Sequence, residues 1–187
     1  MTIATLLVTK VDYASFQAGS KYLSYLLTPA TICLAIPLYE QFEILKKNYP
    51  AVLCGIFSGV VTSLAAVAML AMAFGLTHEE YVTFLPKSIT TAIGLGVSEE
   101  LGGYTTITAA AIIITGVLGN VIAEAVLRLF RITEPVAKGV AIGTSAHAIG
   151  TARAMEIGEV EGALSSLSIV VAGIITVAGV NLVAGIL

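Results

Sequence analysis

Two short segments of the chain gather side chains that suit the binding of a small anion. In both, hydroxyl groups precede an Ala-Ile-Gly step. Hydroxyls beside the free backbone N–H groups at the start of a short helix attract negative charge, because several donors converge there and the helix dipole adds positive potential. The candidate substrate-binding residues are Ser88, Thr90 and Thr91 in the first segment and Thr144, Ser145, His147, Thr151 and Arg153 in the second.

Arg153 is the candidate best suited to recognise a carboxylate. Its planar guanidinium can form two parallel hydrogen bonds with one carboxylate group, which a lysine cannot do. In a helix Arg153 also lies three residues before Glu156, close enough for an internal ion pair. Both interpretations hold equally at this point, and they are compatible.

His147, Glu100 and Glu156 are candidates for proton coupling or for charge pairing. A histidine titrates near physiological pH and could carry a coupled proton, although a lone histidine in a glycine-rich segment is more often a structural hydrogen-bond donor. The carboxylates could instead neutralise Lys87 and Arg153. For Glu100, a position in water at the rim of its segment is the simpler alternative.

One pattern of residues occurs in both segments, 56 positions apart. Ala-Ile-Gly at 92–94 is followed by Glu100 and Gly102, and Ala-Ile-Gly at 148–150 is followed by Glu156 and Gly158. Since alanine, isoleucine and glycine are abundant in this chain, two glycine-rich helix-packing surfaces explain the pattern as well as a repeat does. A true repeat would form units at 84–131 and 134–187.

The elements that position these segments are predicted to be transmembrane helices. Hydrophobic residues make up 57% of the chain and charged residues 11%, against about 25% charged residues in soluble domains. The mean hydropathy is +0.98. The ranges 50–76, 105–123 and 163–187 are apolar runs without a charged residue, and a span needs about 20 residues. A shorter run at 22–38, interrupted by proline, is a fourth candidate.

The N-terminal residues 1–9 resemble the end of a further apolar helix. A signal peptide is not expected here, because a charged region followed by an apolar region and a small-residue cleavage site is not evident.

Positive charges predict the orientation of the spans. Lys46 and Lys47 flank one span, and Arg128, Arg131 and Lys138 follow another, so both loops are expected on the cytoplasmic side. The range 77–104 then begins and ends outside, and its proline and glycines predict a broken or re-entrant segment. The range 135–158 would enter from the inside.

The predicted fold class is an all-α integral membrane protein, a polytopic helical bundle with broken or re-entrant helices and an inverted repeat. In that design two broken segments of opposite orientation meet near the membrane midplane and form one substrate site. Lipid surrounds such a bundle, and small-residue faces on its spans are compatible with a homo-oligomer.

Other classes of function are not expected. Ser145 with His147 faintly resembles a serine hydrolase, but side chains two apart in a helix face away from each other, so an enzyme is not predicted. Since no His, Cys or carboxylate cluster has metal-ligand spacing, neither a metal nor another cofactor is expected. The net charge of −3 and the lack of a basic patch exclude nucleic acid as a partner.

The stretch Gly-Thr-Ser-Ala-His-Ala-Ile-Gly-Thr-Ala-Arg-Ala at 143–154 resembles the signature of the LrgB/CidB membrane-protein family. Three further blocks are similar to that family: Pro-Ala-Thr with Ile-Pro-Leu-Tyr within 19–39, Leu-Pro-Lys-Ser-Ile-Thr-Thr at 85–91, and Glu-Leu-Gly-Gly at 100–103. The match implies one LrgB-like transmembrane domain over 1–187. Members usually carry more hydrophobic sequence ahead of 11–19, so the first helix or two is expected to be absent or truncated.

The resemblance implies two alternative functions. Bacterial members are described as holin-like or antiholin-like proteins that regulate murein hydrolase activity, autolysis and cell death. The carboxy-terminal half of the plastidial glycolate/glycerate translocator, which is related, moves small hydroxycarboxylates. We expect a transporter of small monocarboxylates such as pyruvate, lactate, glycolate or glycerate, proton-coupled or exchanging and working by alternating access, because a lytic pore does not need hydroxyl-rich broken segments.

The resemblance also implies surroundings and partners. A small membrane protein of the LrgA/CidA type is the expected protein partner. The expected location is the inner or plasma membrane of a bacterial cell, crossed several times.

Overall fold

A computed structural model describes Thr9, residues 12–25, Pro29, Ile32, Cys33 and residues 35–187. The chain divides into two compact units, 1–36 and 37–187. The described part of the first unit contains helix α1 (Tyr13–Ser24). The apolar helix end predicted at 1–9, apart from Thr9, lies outside the described residues, and the span predicted at 22–38 lies partly outside them.

The elements that follow are helices, and no strand occurs among the residues that the structure describes. In chain order they are α2 (Ala35–Glu40), α3 (Phe42–Phe74), α4 (His78–Phe84), α5 (Thr91–Glu100), α6 (Thr105–Leu129), α7 (Pro135–Ile157), α8 (Glu159–Val183) and a final 3-10 turn (Ala184–Ile186).

Three helices are long and apolar enough to cross a membrane: α3, α6, and α8 with its 3-10 extension. They coincide with the three apolar runs predicted as spans, so the all-helical class and these three helices are confirmed. Helix α6 has 25 residues and is therefore about 37 Å long. The hydrocarbon core of a bilayer is thinner, about 30 Å. Re-entrant segments and an inverted repeat stay predictions.

The buried residues of α3 recur every three or four positions, which is the spacing of one face of an α-helix. This face packs into the apolar core of the second unit and comprises Val52, Ile56, Val60, Leu64, Val67, Ala68 and Ala71. The opposite face is exposed and also apolar, with Phe57 and Met69 among its residues. A helix that is apolar on both faces suits an environment of lipid on one side and protein on the other.

Helix α7 contacts α3, α6 and α8 and so lies at the centre of the second unit. Its glycines allow a close approach to α8. A Cβ atom at Gly139 would overlap with the backbone of Glu161, and a Cβ atom at Gly143 would overlap with the backbone of Ser165. Small residues at such positions let helix backbones meet directly.

The first copy of the repeated pattern follows a break between two short helices. Helix α4 starts with a capping box, in which the side chains of Thr77 and Glu80 each accept a bond from the other's backbone N–H. The chain is not helical at 85–90, and α5 then starts at Thr91. Pro86 lies in this break and has no N–H with which to continue a helical ladder.

The second copy also follows a break, which lies inside α7. His147 has φ 41° and ψ −142°, so α7 consists of two helical halves, α7a (135–146) and α7b (148–157). Each copy of Ala-Ile-Gly therefore lies in the first turn of a ten-residue helix, 91–100 or 148–157. This shared position favours the predicted repeat.

Candidate functional site

A cavity of about 720 Å³ lies between α3 and α7a, and we call it the large cavity. The two helices approach closely along it: a Cβ atom at Gly55 would lie 3.1 Å from Val140, and one at Gly59 would lie 2.5 Å from Thr144. Most of the walls are small or apolar. The lining residues are Asn48, Ala51, Val52, Gly55, Gly59, Thr62, Ser63, Ala66, Lys87, Ser88, Glu134, Val136, Ala137, Val140, Ala141, Thr144 and Ser145.

A second cavity of about 380 Å³ lies between α7a and α6. Lys87, Ala141 and Ser145 line both spaces. Lys87 is the only charged residue in the lining of the second cavity. The two cavities therefore meet at a lysine ammonium and a serine hydroxyl.

The ammonium group of Lys87 is held by two serine hydroxyls. Lys87 Nζ donates to Ser88 Oγ at 3.0 Å and to Ser63 Oγ at 3.4 Å, and the two hydroxyl oxygens lie 3.0 Å apart. Within the described part of the chain, no carboxylate oxygen lies within 4.0 Å of this ammonium. A half-buried cation without a protein counter-ion favours the binding of an external anion.

The depth of Lys87 follows from its contact with α3. Ser63 is the central residue of the apolar run 50–76, and α3 extends about 17 Å beyond it to Phe74. Lys87 bonds to Ser63 and so lies at the same level. An ionisable residue at mid-membrane depth costs free energy and usually marks a substrate or ion pathway.

Thr144 and Ser145 line the large cavity, but their hydroxyl protons are directed at their own helix. Thr144 Oγ1 donates to the carbonyl oxygen of Val140 at 2.6 Å, and Ser145 Oγ donates to that of Ala141 at 2.7 Å. Each oxygen still has a lone pair with which to accept a hydrogen bond. These two residues therefore complement Lys87: they can accept a bond from a ligand hydroxyl, and the ammonium can bind a ligand carboxylate.

His147 is buried and turned towards α6. Its Nε2 lies 2.9 Å from the carbonyl oxygen of Ile112, which can only accept, so Nε2 donates. Gly116 leaves room for the imidazole, since a Cβ atom there would lie 2.6 Å from His147 Cε1. Asn120 Nδ2 donates to the carbonyl oxygen of Ile149 at 2.8 Å. Helix α6 thus bonds to the break residue and to the half-helix that follows it, and the proton-coupling role of His147 stays a prediction.

Two carboxylates bind the guanidinium of Arg153. It pairs with Glu156 on α7b and with Glu124 on α6, and Glu124 also accepts a bond from Arg128 at 2.9 Å. The internal ion pair considered for Arg153 is therefore present. Arg153 lines neither the large nor the second cavity, and a ligand carboxylate would have to compete there with two carboxylates of the protein.

Thr151 is buried and follows the break in the chain, whereas the α7 residues that line the large cavity precede the break. Its hydroxyl bonds to the carbonyl oxygen of His147 at 3.0 Å and to Ser165 Oγ at 2.7 Å. The latter bond joins α7b to α8. In this conformation Thr151 contributes to packing between helices.

The remaining candidates belong to α5. Thr90 and Thr91 flank the start of that helix, and neither lines either cavity. Glu100 is exposed at its end and forms no ion pair with any residue in the described ranges. Of the predicted substrate-binding residues, the fold brings three together at the large cavity: Ser88, Thr144 and Ser145.

Lys87 and Ser63 belong to this site although the sequence does not single them out as binding residues. A signal for Lys87 exists, because it is the only lysine or arginine between positions 48 and 127. Ser63 gives no comparable signal, since one serine in a long apolar helix is common. Its role becomes visible only when α3 packs beside the break at 85–90.

The comparison with known families agrees with this membrane architecture. No solved structure matches the chain. The model of the LrgB-like family matches residues 1–186 of the 187, and this family is linked to holin-like and antiholin-like function. Together with the three candidate spans, the match indicates a membrane protein. The resemblance in the signature at 143–154 is confirmed, and the chain belongs to the LrgB-like family.

Proposed function

We propose that this protein transports small monocarboxylates across a membrane, in exchange or coupled to protons, with Lys87 binding the substrate carboxylate. The observation that carries the proposal is the Lys87 ammonium in the wall of the large cavity. It is bound by hydroxyls of Ser63 and Ser88, and no carboxylate among the described residues lies within ion-pair distance of it. Charge-assisted hydrogen bonds from such a group are stronger than neutral ones. An anion of the right size supplies the missing counter-charge.

The lining of the large cavity favours one carboxylate per ligand. Lys87 is its only cation, and Glu134 is its only carboxylate. A dicarboxylate would leave its second charge without a cation, which is unfavourable away from water. Pyruvate, lactate, glycolate and glycerate each carry one carboxylate and a keto or hydroxyl group. The hydroxyl group of lactate, glycolate or glycerate can donate to Thr144 or Ser145, whose own protons are directed at their helix.

The course of the large cavity supports access from one side. It extends to Asn48 and Glu134, which lie beside the positive loops expected in the cytoplasm. Glu134 lies eleven positions before Ser145, or about 16 Å along the helix. In this proposal the conformation is open to the inside.

A hydrogen-bonded polar cluster supports closure at the other end. Thr108 Oγ1 lies 2.6 Å from Ser98 Oγ and 3.0 Å from the carbonyl oxygen of Thr83, and Tyr104 N donates to Thr83 Oγ1 at 2.8 Å. These contacts join α4, α5 and α6 through buried groups. Alternating access requires this cluster to separate when the inner side closes.

Uptake into proteoliposomes tests the proposal. Purified protein is reconstituted, and labelled pyruvate, lactate, glycolate and glycerate are offered singly, with a dicarboxylate of similar size as the matched control. The expected result is saturable uptake of at least one monocarboxylate, competed by unlabelled monocarboxylate and not by the dicarboxylate. If gel filtration shows that the protein is folded and none of the four monocarboxylates is taken up saturably, the proposal is contradicted.

Regulation of murein hydrolase activity and autolysis, in the holin-like or antiholin-like manner, is the second candidate. Family membership favours it. A lytic pore passes large solutes without saturation, so release of a large dye from the same liposomes distinguishes the two functions. Dye release without saturable carboxylate uptake would support the pore.

The proposed setting is a bacterial cell membrane that the chain crosses several times. A homo-oligomer, and a small LrgA/CidA-type membrane protein as partner, complete this proposal. Cross-linking in native membranes followed by mass determination tests both assemblies.

A further inference from the structure

We propose that the cleft at the end of α6 binds the headgroup of an anionic phospholipid. The cleft has a volume of about 670 Å³ and lies between the last turn of α6, the loop after it and α7. It shares no lining residue with the large cavity. Its cations are Arg128, Arg131 and Lys138, and its one lining carboxylate is Glu124.

The charges of the cleft leave a net positive surface. Glu124 is already paired with Arg153 and with Arg128. Lys138 Nζ lies 3.7 Å from Glu161, at the outer limit of an ion pair. Arg131 forms no ion pair or side-chain hydrogen bond with the described residues. A phosphate group can therefore be bound without displacing an existing partner of Arg131.

The position of the cleft favours a lipid over a soluble anion. Helix α6 is longer than the hydrocarbon core is thick, and its charged residues Glu124 and Arg128 lie in its last two turns, so this end is expected at the membrane surface. Leu129 and Phe130, directly beside the cations, are 77% and 69% exposed. The apolar side chains Leu127, Ile132 and Ile157 line the cleft itself. Cations next to exposed apolar side chains match a molecule that carries both a phosphate and acyl chains.

The backbone at Arg131 is a second observation that points to its side chain. Arg131 has φ 54°, the left-handed conformation in which the chain turns after a helix. Glycine is the residue usually found there, because it has no Cβ atom to strain. The turn itself is closed by a backbone bond from Ile132 N to the Leu127 carbonyl oxygen at 2.8 Å, which glycine at 131 would permit equally well. The guanidinium is therefore not required by the turn.

Native mass spectrometry of the full-length protein in detergent tests this proposal. Phosphatidylglycerol and phosphatidylcholine with identical acyl chains are titrated against wild type, Arg131→Gln and the control Lys47→Gln. Lys47 is also an exposed cation near the end of a span, but it does not line the cleft. Since one cation near an anionic lipid surface contributes about 1 kcal/mol, wild type should retain phosphatidylglycerol preferentially and Arg131→Gln should bind it about fivefold more weakly.

Three outcomes would overturn the proposal. Equal retention of the two lipids means that the headgroup charge is not recognised. An equal loss in Arg131→Gln and Lys47→Gln means that the attraction is diffuse. Full displacement of phosphatidylglycerol by inorganic phosphate means that the cleft binds a soluble anion instead. Gel filtration of each variant verifies folding, which Arg131→Gln should preserve because no partner in the described structure loses a bond.

Discussion

The two breaks in this bundle place their cations in opposite electrostatic situations. At the first break, Lys87 lies between two cavities, is bound by two hydroxyls, and has no carboxylate within ion-pair distance in the described part of the chain. At the second break, Arg153 is bound by Glu124 and Glu156 and lines neither of those cavities. The first cation still needs a counter-charge, and the second already has two.

This difference separates a group available to a ligand from a group that joins helices. A paired arginine between α6 and α7b keeps the two helices together, as do the bonds of His147 and Asn120 to backbone carbonyls. Lys87 contacts serine hydroxyls instead, at 3.0 and 3.4 Å, and it can exchange one of these bonds for a substrate bond. Removing each cation should therefore affect different properties of the protein.

The largest expected effect is on uptake when the charge of Lys87 is removed. Lys87→Gln keeps a hydrogen-bonding side chain but loses the charge, and a hydrogen bond to a charged group contributes about 1.5–3 kcal/mol. Uptake efficiency of the transported monocarboxylate should fall about 10- to 100-fold. The measurement is initial uptake rate against substrate concentration in proteoliposomes.

Two controls accompany this prediction. Lys47→Gln, an exposed cation outside both cavities, should leave uptake unchanged, and Lys87→Arg should restore part of it because the positive charge returns. If a folded Lys87→Gln variant takes up substrate as fast as wild type, Lys87 does not bind the substrate carboxylate, and the proposed difference between the two breaks is wrong.

The next largest effect is on stability when the space for His147 is filled. A Cβ atom at Gly116 would lie 2.6 Å from His147 Cε1 and 2.8 Å from its Nε2. Gly116→Ala should therefore destabilise the protein by about 1–3 kcal/mol, measured as unfolding in a detergent by denaturant. The control is Gly96→Ala, where nothing lies within 4 Å of the added atom; alanine should there stabilise α5 slightly. Equal effects of the two changes would show that the α6 contact at the second break is not tight.

A smaller effect is expected when Arg153 is neutralised. Arg153→Gln loses the pairs with Glu124 and Glu156, so the apparent Tm should decrease by a few degrees while uptake stays close to wild type. Tm is measured by thermal unfolding in detergent, and uptake as above. Loss of uptake with an unchanged Tm would instead assign carboxylate recognition to Arg153, and the comparison between the breaks would then be reversed.

The smallest effect is expected at the hydroxyls around Lys87. Ser88→Ala removes one acceptor of the ammonium, and a single hydrogen bond contributes about 1 kcal/mol. KM for the transported monocarboxylate should change by about fivefold or less, while Ser58→Ala, whose hydroxyl bonds only to its own helix at Gly55, should not change it. A loss as large as that of Lys87→Gln would mean that Ser88, rather than the ammonium, dominates substrate binding.

Much of the helical framework could be predicted from hydropathy. Apolar runs of span length become α3, α6 and α8, since in lipid only hydrogen bonds within the helix satisfy the backbone. The local sequence also indicates the two breaks. Pro86 has no N–H to donate within a helix, and at the second break α6 accepts a hydrogen bond from His147. The dodecamer at 143–154 suffices to predict the family.

The assignment of roles to the polar residues could not be predicted in the same way. Sequence spacing places Arg153 next to Glu156 but gives no information on Glu124, which α6 brings from 29 positions away. Ser63 and Lys87 are 24 positions apart and bond only because α3 packs beside the break. The planar guanidinium predicts charge recognition at Arg153, and the pair with Glu124 that opposes this role forms only because α6 packs against α7b.

The amino-acid sequence alone therefore specifies a helical membrane protein of the LrgB-like family with two broken segments, because hydropathy, proline and glycine act locally along the chain. Which cation has a counter-charge is decided by tertiary packing. Coulombic pairing depends on distance in space, and the same charges that look alike in sequence end up neutralised at Arg153 and unneutralised at Lys87.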